Sequence, residues 1–250
     1  MTSRAEQIFS EVFESLPRQG PGNLASTSRA LSLCSDLPPA PRILDLGCGS
    51  GAQTMHLAAL TSGTILAVDA HQPLVERLEN AITEHALAER VTAQIADMAS
   101  LALPAQSVDL VWSEGALYHL GLDAAVPMCA GWLQPGGYLV FTEAVWRTAD
   151  PPAQARELFA DYPGMGRISD VLAVLAAQEL LDVGHFDLPA EAWWDDFYTP
   201  LEDRVAALRA GHADDPEALE ALDQVAREPD LFRRLGEHYG YTFFVAQRST

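Results

Sequence analysis

The strongest constraint on the fold is the run from Arg42 to Gly51, Arg-Ile-Leu-Asp-Leu-Gly-Cys-Gly-Ser-Gly. It begins as a short apolar segment typical of a buried strand and continues into a turn with Gly47, Gly49 and Gly51 at every second position. Glycine lets the backbone turn sharply and leaves no side chain between the main chain and a ligand. A helix predicted at about 52–60 would direct its free N–H groups toward that ligand. The run therefore predicts a strand, turn and helix that bind a nucleotide-like or carboxylate-bearing molecule.

Two carboxylates accompany this turn. A second apolar strand, 64–68, is followed by Asp69, where an acidic residue accepts hydrogen bonds from a ribose. Asp45 lies inside the first strand, where a buried carboxylate is costly unless it meets a cation or several donors. The two acids therefore suggest a ligand with both hydroxyl groups and a cation, although Asp45 could instead cap nearby backbone amides.

Four segments resemble, in order and spacing, the class I methyltransferases that use S-adenosylmethionine. They are 42–69, 95–98, 108–115 and 133–139, and together they cover roughly residues 40–145. The resemblance implies S-adenosylmethionine as cofactor, S-adenosylhomocysteine as its product, and transfer of a methyl group to a small molecule by in-line displacement. Segments outside this core are similar to a small bacterial methyltransferase subgroup near the quinone- and sterol-methylating branch, which has no settled substrate.

A dinucleotide-binding protein is the main competing interpretation. Gly47-x-Gly49-x-x-Ala52 formally satisfies the dinucleotide fingerprint. Asp45 and the block Pro135-Gly136-Gly137 favour the methyltransferases instead. An NAD(P)-dependent oxidoreductase and a non-catalytic S-adenosylmethionine-binding protein remain the two alternatives.

The resemblance also implies a cofactor site at the ends of the first four strands. Asp45 would lie near the cofactor's ammonium, Asp69 would bind the ribose, and Asp97 would accept the adenine amine. Arg18, with the Gly-Pro-Gly loop after it, would either fold over the cofactor and pair with its carboxylate or remain solvated. The residues expected to bind the cofactor are Asp45, Gly47, Cys48, Gly49, Gly51, Asp69, Ala70, His71, Asp97, Met98, Ser113 and Glu114.

The candidate catalytic residues are His119 and Glu114, just beyond the fourth strand. His119 is the better base by type, because the unperturbed pKa of histidine lies near operating pH; its alternative role is a loop histidine bonded to backbone. A base is needed only if the acceptor starts protonated. Tyr118, Trp146, Trp194 and Tyr198 are expected to bind an apolar or cationic acceptor, or else to pin a cap to the sheet.

Alternating strands and helices predict an α/β fold: a doubly wound, Rossmann-like, seven-stranded sheet with helices on both faces. The last strand is expected to be antiparallel, with a helical cap inserted before it. The expected organisation is N-terminal helices and a lid loop (1–40), a cofactor-binding core (41–189), a helical cap and acceptor region (190–240) and a final strand and tail (241–250). Strands are predicted near 42–46, 64–68, 91–95, 108–112, 138–143, 182–188 and 241–246, and helices near 5–16, 25–33, 52–60, 73–85, 122–132, 150–160 and 169–181.

Composition and charge limit the kinds of molecule that the chain is expected to bind. The formal charge is −20 with 15 basic residues, all of them arginine, so nucleic acid and anionic membranes are disfavoured. No stretch approaches the ~18 apolar residues of a membrane span, and the N-terminus has no apolar signal core. Three scattered cysteines fit a reducing cytoplasm, and the histidines form no ligand-spaced cluster, so no metal is expected. We expect a cytoplasmic monomer or homodimer.

Overall fold

The computed structural model describes residues 3–250. Its centre is one seven-stranded sheet in the order β3-β2-β1-β4-β5-β7-β6. Neighbouring strands are parallel from β3 to β5, whereas β7 runs antiparallel to both β5 and β6. The predicted fold class, including the antiparallel last strand, is confirmed. The strands are β1 (Arg42–Leu46), β2 (Thr64–Asp69), β3 (Val91–Ile95), β4 (Val108–Glu114), β5 (Leu133–Trp146), β6 (Leu180–Asp187) and β7 (Tyr239–Arg248).

The helices cover both faces of the sheet and form a cluster between β6 and β7. That cluster contains a π-helical turn over Trp194–Tyr198, a local widening of the helix that is frequent at functional sites. Short 3₁₀ turns lie at Met98–Ser100 and Leu117–His119. The α-helices are α1 (Arg4–Phe13), α2 (Leu24–Ser32), α3 (Ala52–Leu60), α4 (Gln72–Glu84), α5 (Leu122–Trp132), α6 (Ala153–Leu158), α7 (Ile168–Ala177), α8 (Ala190–Trp193), α9 (Thr199–Gly211) and α10 (Pro216–Leu235).

The core lies in two layers because side chains alternate along each strand. On β1, Ile43 packs with the layer beneath α1, α2 and the helices between β6 and β7. The next residue, Leu44, packs with the opposite layer, which includes α5 and α7. Burial on both faces accounts for the nearly continuous apolar runs of the central strands.

Helix α6 begins later than the sequence predicts. Asp150 was expected to cap a helix with Pro151 as its first residue, but α6 begins at Ala153 and Asp150 pairs with Arg156. Two consecutive prolines explain the difference, because a residue that precedes proline is disfavoured in the helical region. Pro151 therefore stays extended.

Strand β5 begins before its predicted start at residue 138. Leu133 already pairs with Val108, and the register then shifts before Tyr138 pairs with Leu110. The Pro-Gly-Gly block lies inside this irregular stretch, where glycine tolerates the bend. The block is therefore an irregularity within a strand that is longer than predicted.

The N-terminal helix belongs to the cap side of the molecule. Ser3 and Glu6 form a capping box at the start of α1, and α1 packs against α9 and α10. Within residues 3–250, no helix is both long enough and apolar enough to cross a membrane.

Candidate functional site

A cavity of about 800 Å³ opens at the carboxyl ends of the parallel strands. Its walls include the residues that follow β1, β2, β3 and β4. The strand order reverses between β1 and β4, and ligands of doubly wound sheets bind beside such a switch point. The cavity is therefore the candidate active site.

The glycine turn forms one wall of the cavity, and neighbouring residues pack closely against it. Gly47 has φ +69°, and a Cβ there would approach the Cβ of Ala116 to 2.2 Å. The N–H groups of Gly47 and Cys48 both donate to the Val68 carbonyl, which ties the turn to β2. A side chain at position 47 would strain the backbone and displace the turn after β4, so glycine is required there.

Asp69 holds this turn and also faces the cavity. One carboxylate oxygen accepts from the Gly49 N–H at 2.9 Å and the other from the His71 N–H at 2.8 Å. Ala70 and His71 continue the same wall, and the His71 ring contacts Glu14 of the N-terminal region at 2.8 Å. The structure brings these predicted residues together around the end of β2.

Asp97 and Met98 line the cavity beyond β3, as the sequence predicts. Asp97 accepts from the Ala99 N–H at 2.8 Å and so caps the short 3₁₀ turn. Its other oxygen remains available to a ligand, and Met98 offers an apolar surface beside it.

Asp45 lies one layer behind the cavity wall. Its carboxylate accepts from the Thr54 hydroxyl at 2.5 Å and from the Gln53 amide at 3.4 Å. Burial raises the pKa of Asp45 to about 7. Gln53 lines the cavity, so any influence of Asp45 on a ligand passes through Gln53. Gly51 and Ser113 also lie outside the lining; the Ser113 hydroxyl donates to the Leu46 carbonyl.

Glu114 lines the cavity at the end of β4 and is held by three donors. These are Arg18 at 2.8 Å, the Trp112 indole at 2.9 Å and the Thr27 hydroxyl at 3.3 Å. These three contacts fix the position of the Glu114 carboxylate in the cavity wall.

Arg18 is buried, which decides between its two expected environments. Its guanidinium also donates to the carbonyls of Gly20 and Pro21. The remaining nitrogen, Nη1, is buried without a hydrogen-bond partner although Arg18 lines the cavity. A ligand carboxylate would satisfy it.

The segment 17–22, which we call the strap, lies over the glycine turn. The Gln19 side chain accepts from the Ser50 N–H at 2.9 Å and donates to the Phe13 carbonyl at 3.1 Å. A Cβ on Gly49 would approach the Gln19 oxygen to 2.5 Å. The strap and the turn therefore fit only because position 49 has no side chain.

Tyr118 and His119 both line the cavity on the 3₁₀ turn after β4, with ring centroids 4.1 Å apart. The His119 side chain makes no hydrogen bond within residues 3–250, in contrast to the expected alternative of a histidine bonded to backbone. Its imidazole nitrogens are therefore unpaired beside the cavity.

The other three aromatic residues expected to bind the acceptor do not line this cavity. Trp146 packs edge-on against Phe159, and Trp194 lies under the Arg233 guanidinium at 4.3 Å beside a separate surface groove. Tyr198 is fully buried and donates its hydroxyl to Glu228. These rings stabilise the cap, which was the alternative given for them.

Several cavity-lining residues were not proposed as site residues from the sequence, among them Gln19, Gln53, Glu228 and Tyr241. These four come from the strap, α3, α10 and β7. The one usable signal was Pro229 directly after Glu228, since a proline inside a helix marks an irregular position.

The Cys48 thiol is not a candidate nucleophile, and the described residues offer no metal site. Cys48 is buried in the turn, and burial raises the pKa of its thiol, so it is a small packing residue. Among the described residues, 3–250, no group of histidine, cysteine and acidic side chains is placed to hold a metal.

The sheet topology, the glycine turn and the cavity at the switch point define a class I methyltransferase fold. Residues 44–141 match the family model described as a methyltransferase domain, so this part of the chain is similar to that family. The methyltransferase resemblance is therefore confirmed.

Relatives and solved structures agree on this fold. The chain is 27% identical over 207 residues to phosphoethanolamine N-methyltransferase 3 of Arabidopsis thaliana, covering 82% of this chain and 40% of that protein. It thus spans about two fifths of that relative's length. A methyltransferase of Geobacter sulfurreducens solved with S-adenosylhomocysteine superposes with TM-score 0.81 at 21% identity, covering 96% of this chain and 97% of that one. The [4+2]-cyclase SpnF superposes with TM-score 0.75 at 21% identity, covering 98% of this chain and 92% of that one.

Proposed function

We propose that this chain transfers a methyl group from S-adenosylmethionine to a small molecule. The observation that carries the proposal is the cavity wall in which Asp69 and the glycine turn of residues 47–51 hold one another beside Asp97 and Met98. The cofactor is the one that the sequence predicts and the one whose product is bound in the Geobacter sulfurreducens structure.

The residues present fit this cofactor. Asp69 and Asp97 offer carboxylate oxygens for hydroxyl and amine groups, and Met98 offers an apolar surface for a purine. The unpartnered Nη1 of Arg18 is suited to the carboxylate of the amino-acid part. We therefore assign Arg18 to the cofactor's carboxylate, and Gln53, held by Asp45, to the polar wall beside it.

The chemistry requires little of the protein beyond alignment and exclusion of water. S-adenosylmethionine supplies an electrophilic methyl group together with its own leaving group. Holding the two reactants in line contributes roughly 7–11 kcal/mol toward lowering the barrier. The strap and α1 cover the glycine turn and exclude water, and His119 is the residue we propose to relay to solvent the proton that the acceptor gives up.

We assign the N-terminal helices and lid loop (1–40) to the side that covers the cofactor and 190–240 to a cap over the acceptor, attached to the core of 41–189 and the final strand and tail of 241–250. Residues 1 and 2 of the first range lie outside the described residues. The cap's Phe197 and Glu228 support this division because both line the cavity. An acidic chain with a narrow cavity suits a small acceptor rather than a nucleic acid.

The fold alone does not define the reaction, since the similar SpnF is described as a cyclase. The test therefore measures both binding and product. S-adenosylhomocysteine at 100 times its dissociation constant should stabilise the protein by about 2.7 kcal/mol, whereas NADH should have no effect. Labelled S-adenosylmethionine and a protein-free cell extract should then yield a labelled small molecule.

Asp69→Asn is the matched variant, because it keeps the side-chain shape and removes the charge. We expect it to weaken S-adenosylhomocysteine binding at least tenfold. Asp109→Asn is the control, since Asp109 pairs with Arg42 at the opposite end of β4. Stabilisation by NADH alone would refute the proposal, and binding without any labelled product would identify a non-catalytic protein.

A further inference from the structure

The cavity also has a wall that comes from the cap and the last strand rather than from the ends of β1, β2 and β3. This wall includes Tyr118, Phe197, Glu228 and Tyr241, and we call it the distal pocket. Tyr241 is on β7, which is three strands away from β1 in the sheet. Its ring reaches back toward β4, where it would lie 3.4 Å from a Cβ on Gly115.

Glu228 is the charged group of the distal pocket. Its position on α10 directly precedes Pro229, which lacks the N–H that would continue the helical hydrogen bonds. Tyr198 is buried beneath it and donates its hydroxyl to one carboxylate oxygen at 2.8 Å. In the described part of the chain, no arginine or histidine forms an ion pair with Glu228. The carboxylate therefore faces the cavity without a counter-charge.

A second carboxyl group lies behind the same wall. Glu143 is on β5, and both its carboxyl oxygens are buried. Burial raises the pKa of the Tyr118 and Tyr241 hydroxyls, and the nearby carboxyl groups of Glu143 and Glu228 raise it further. Two carboxyl groups in a water-poor region with no opposing cation favour a cationic ligand, because a cation beside them stabilises their ionised form.

Aromatic faces complete the walls. The Tyr118 ring packs near Tyr162 with centroids 5.7 Å apart, and Tyr241 packs edge-on against Trp193 at 5.2 Å. Phe197 contributes a third ring from the π-helical turn. Aromatic faces beside a carboxylate form the kind of environment that binds ammonium groups.

We propose that the distal pocket binds a protonated amine and that the methyl group is transferred to its nitrogen. This inference rests on the proposed methyltransferase function. The Glu228 carboxylate takes one proton from the bound ammonium, which frees the nitrogen lone pair. The N–C bond then forms as the S–C bond breaks, and the bonding pair of that bond goes to sulfur. The products are an N-methylammonium ion, S-adenosylhomocysteine and a protonated Glu228.

The charges of the cavity argue against an anionic acceptor. Arg18 is the one arginine among its described lining residues, and it already pairs with Glu114. A carboxylate or phosphate at the distal pocket would lie beside Glu228 and near Glu143 with no cation to balance it. Burial raises the pKa of Glu228, and a cationic ligand would offset that rise by stabilising the carboxylate.

Three probes of similar shape and different charge test the binding. Isothermal titration calorimetry on protein saturated with S-adenosylhomocysteine would compare benzylammonium, benzyl alcohol and benzoate at pH 7. We expect benzylammonium to bind at least tenfold more tightly than benzyl alcohol, and benzoate to bind weakest. Equal binding of the amine and the alcohol, or preference for benzoate, would overturn the proposal without using any variant.

Two variants and one control test whether Glu228 binds the ammonium group. Glu228→Gln should weaken benzylammonium binding at least tenfold and leave S-adenosylhomocysteine affinity unchanged. Tyr198→Phe, which removes a positioning hydroxyl but keeps the charge, should have a smaller effect in the same direction. Glu220→Gln, an exposed change on the same helix, is the matched control. An unchanged benzylammonium affinity in Glu228→Gln would show that Glu228 is not the anchor.

A separate experiment tests whether the methyl group is transferred to nitrogen. Labelled products formed from a cell extract should be retained on a cation exchanger at pH 7, because methylated amines stay protonated. Labelled products that are neutral or anionic would refute transfer to nitrogen. Failure of S-adenosylhomocysteine to bind at all would refute the proposed function instead, and the three probes could still be compared on the free protein.

Discussion

Arg18 and Glu114 form a buried ion pair, with Nη2 and Oε2 separated by 2.8 Å. The pair joins the strap to the end of β4, and the Arg18 and Glu114 side chains are 6% and 1% exposed. It therefore connects the segment that covers the glycine turn to the strand that separates the cofactor end from the distal pocket. The contact makes the strap part of the folded core rather than a loose segment.

Breaking this pair should be costly. Arg18→Met or Glu114→Gln alone leaves a buried charge without its partner, and we expect a loss of roughly 3–5 kcal/mol in the free energy of unfolding. The double variant should lose less than the two single losses added together, because neither charge is then stranded. Urea unfolding of the four proteins measures this coupling. Additive losses would show that the two charges do not interact.

Two glycines of the strap, Gly20 and Gly22, differ in how closely neighbouring side chains approach them. A Cβ on Gly22 would approach Arg18 Nη2 to 2.2 Å and Glu114 Oε2 to 2.6 Å, whereas a Cβ on Gly20 would meet nothing within 4 Å. Gly22→Ala should therefore displace the ion pair, cost roughly 1–3 kcal/mol and weaken S-adenosylhomocysteine binding at least tenfold. Gly20→Ala should change affinity less than twofold in the same titrations. Equal effects would mean that the strap moves freely in solution.

Glu143 should make stability depend on pH. Burial raises the pKa of Glu143 to about 7, above its usual value of 4.5, and the nearby Tyr162 hydroxyl opposes that rise only in part. A raised pKa means that the folded state retains a proton which the unfolded state has already lost. The stabilisation is therefore complete below about pH 4.5 and is lost as pH rises to about 7.

Glu143→Gln should remove that part of the pH dependence. Between pH 4.5 and 8, the free energy of unfolding of the wild type should fall by roughly 3 kcal/mol more than that of Glu143→Gln. Denaturant unfolding at several pH values measures it, with the exposed Glu157→Gln as control. Identical pH profiles for wild type and Glu143→Gln would contradict the assigned burial.

The three thiols should be unreactive in the folded protein. All are buried and free, and burial raises the pKa of Cys34 and of Cys129 to about 12. A thiol with so little thiolate reacts slowly. Titration with a chromogenic disulfide at pH 8 should label none of the three within minutes and all three after unfolding in urea. Rapid labelling of one thiol in the folded state would show that its region opens.

The local sequence pattern was sufficient to predict the bounds of several central strands and helices. Strands 42–46 and 91–95 and helices 52–60 and 122–132 were predicted with the bounds that the structure has, because apolar periodicity and glycine turns are encoded over a few neighbouring residues. The same reasoning placed Asp69, Asp97 and Met98 correctly at the cavity, since parallel strands end at one edge of the sheet.

The sequence by itself thus determined the sheet and the glycine turn. Only the tertiary structure decided which distant side chains reach the cavity. Glu228 and Tyr241 enter from the cap and the last strand, whereas Trp146 and Trp194 face elsewhere. The physical reason is that a helix or strand pattern shows which face is buried but not which neighbour it is buried against. That choice depends on contacts between residues far apart in the chain, such as Arg18 with Glu114 and Tyr198 with Glu228.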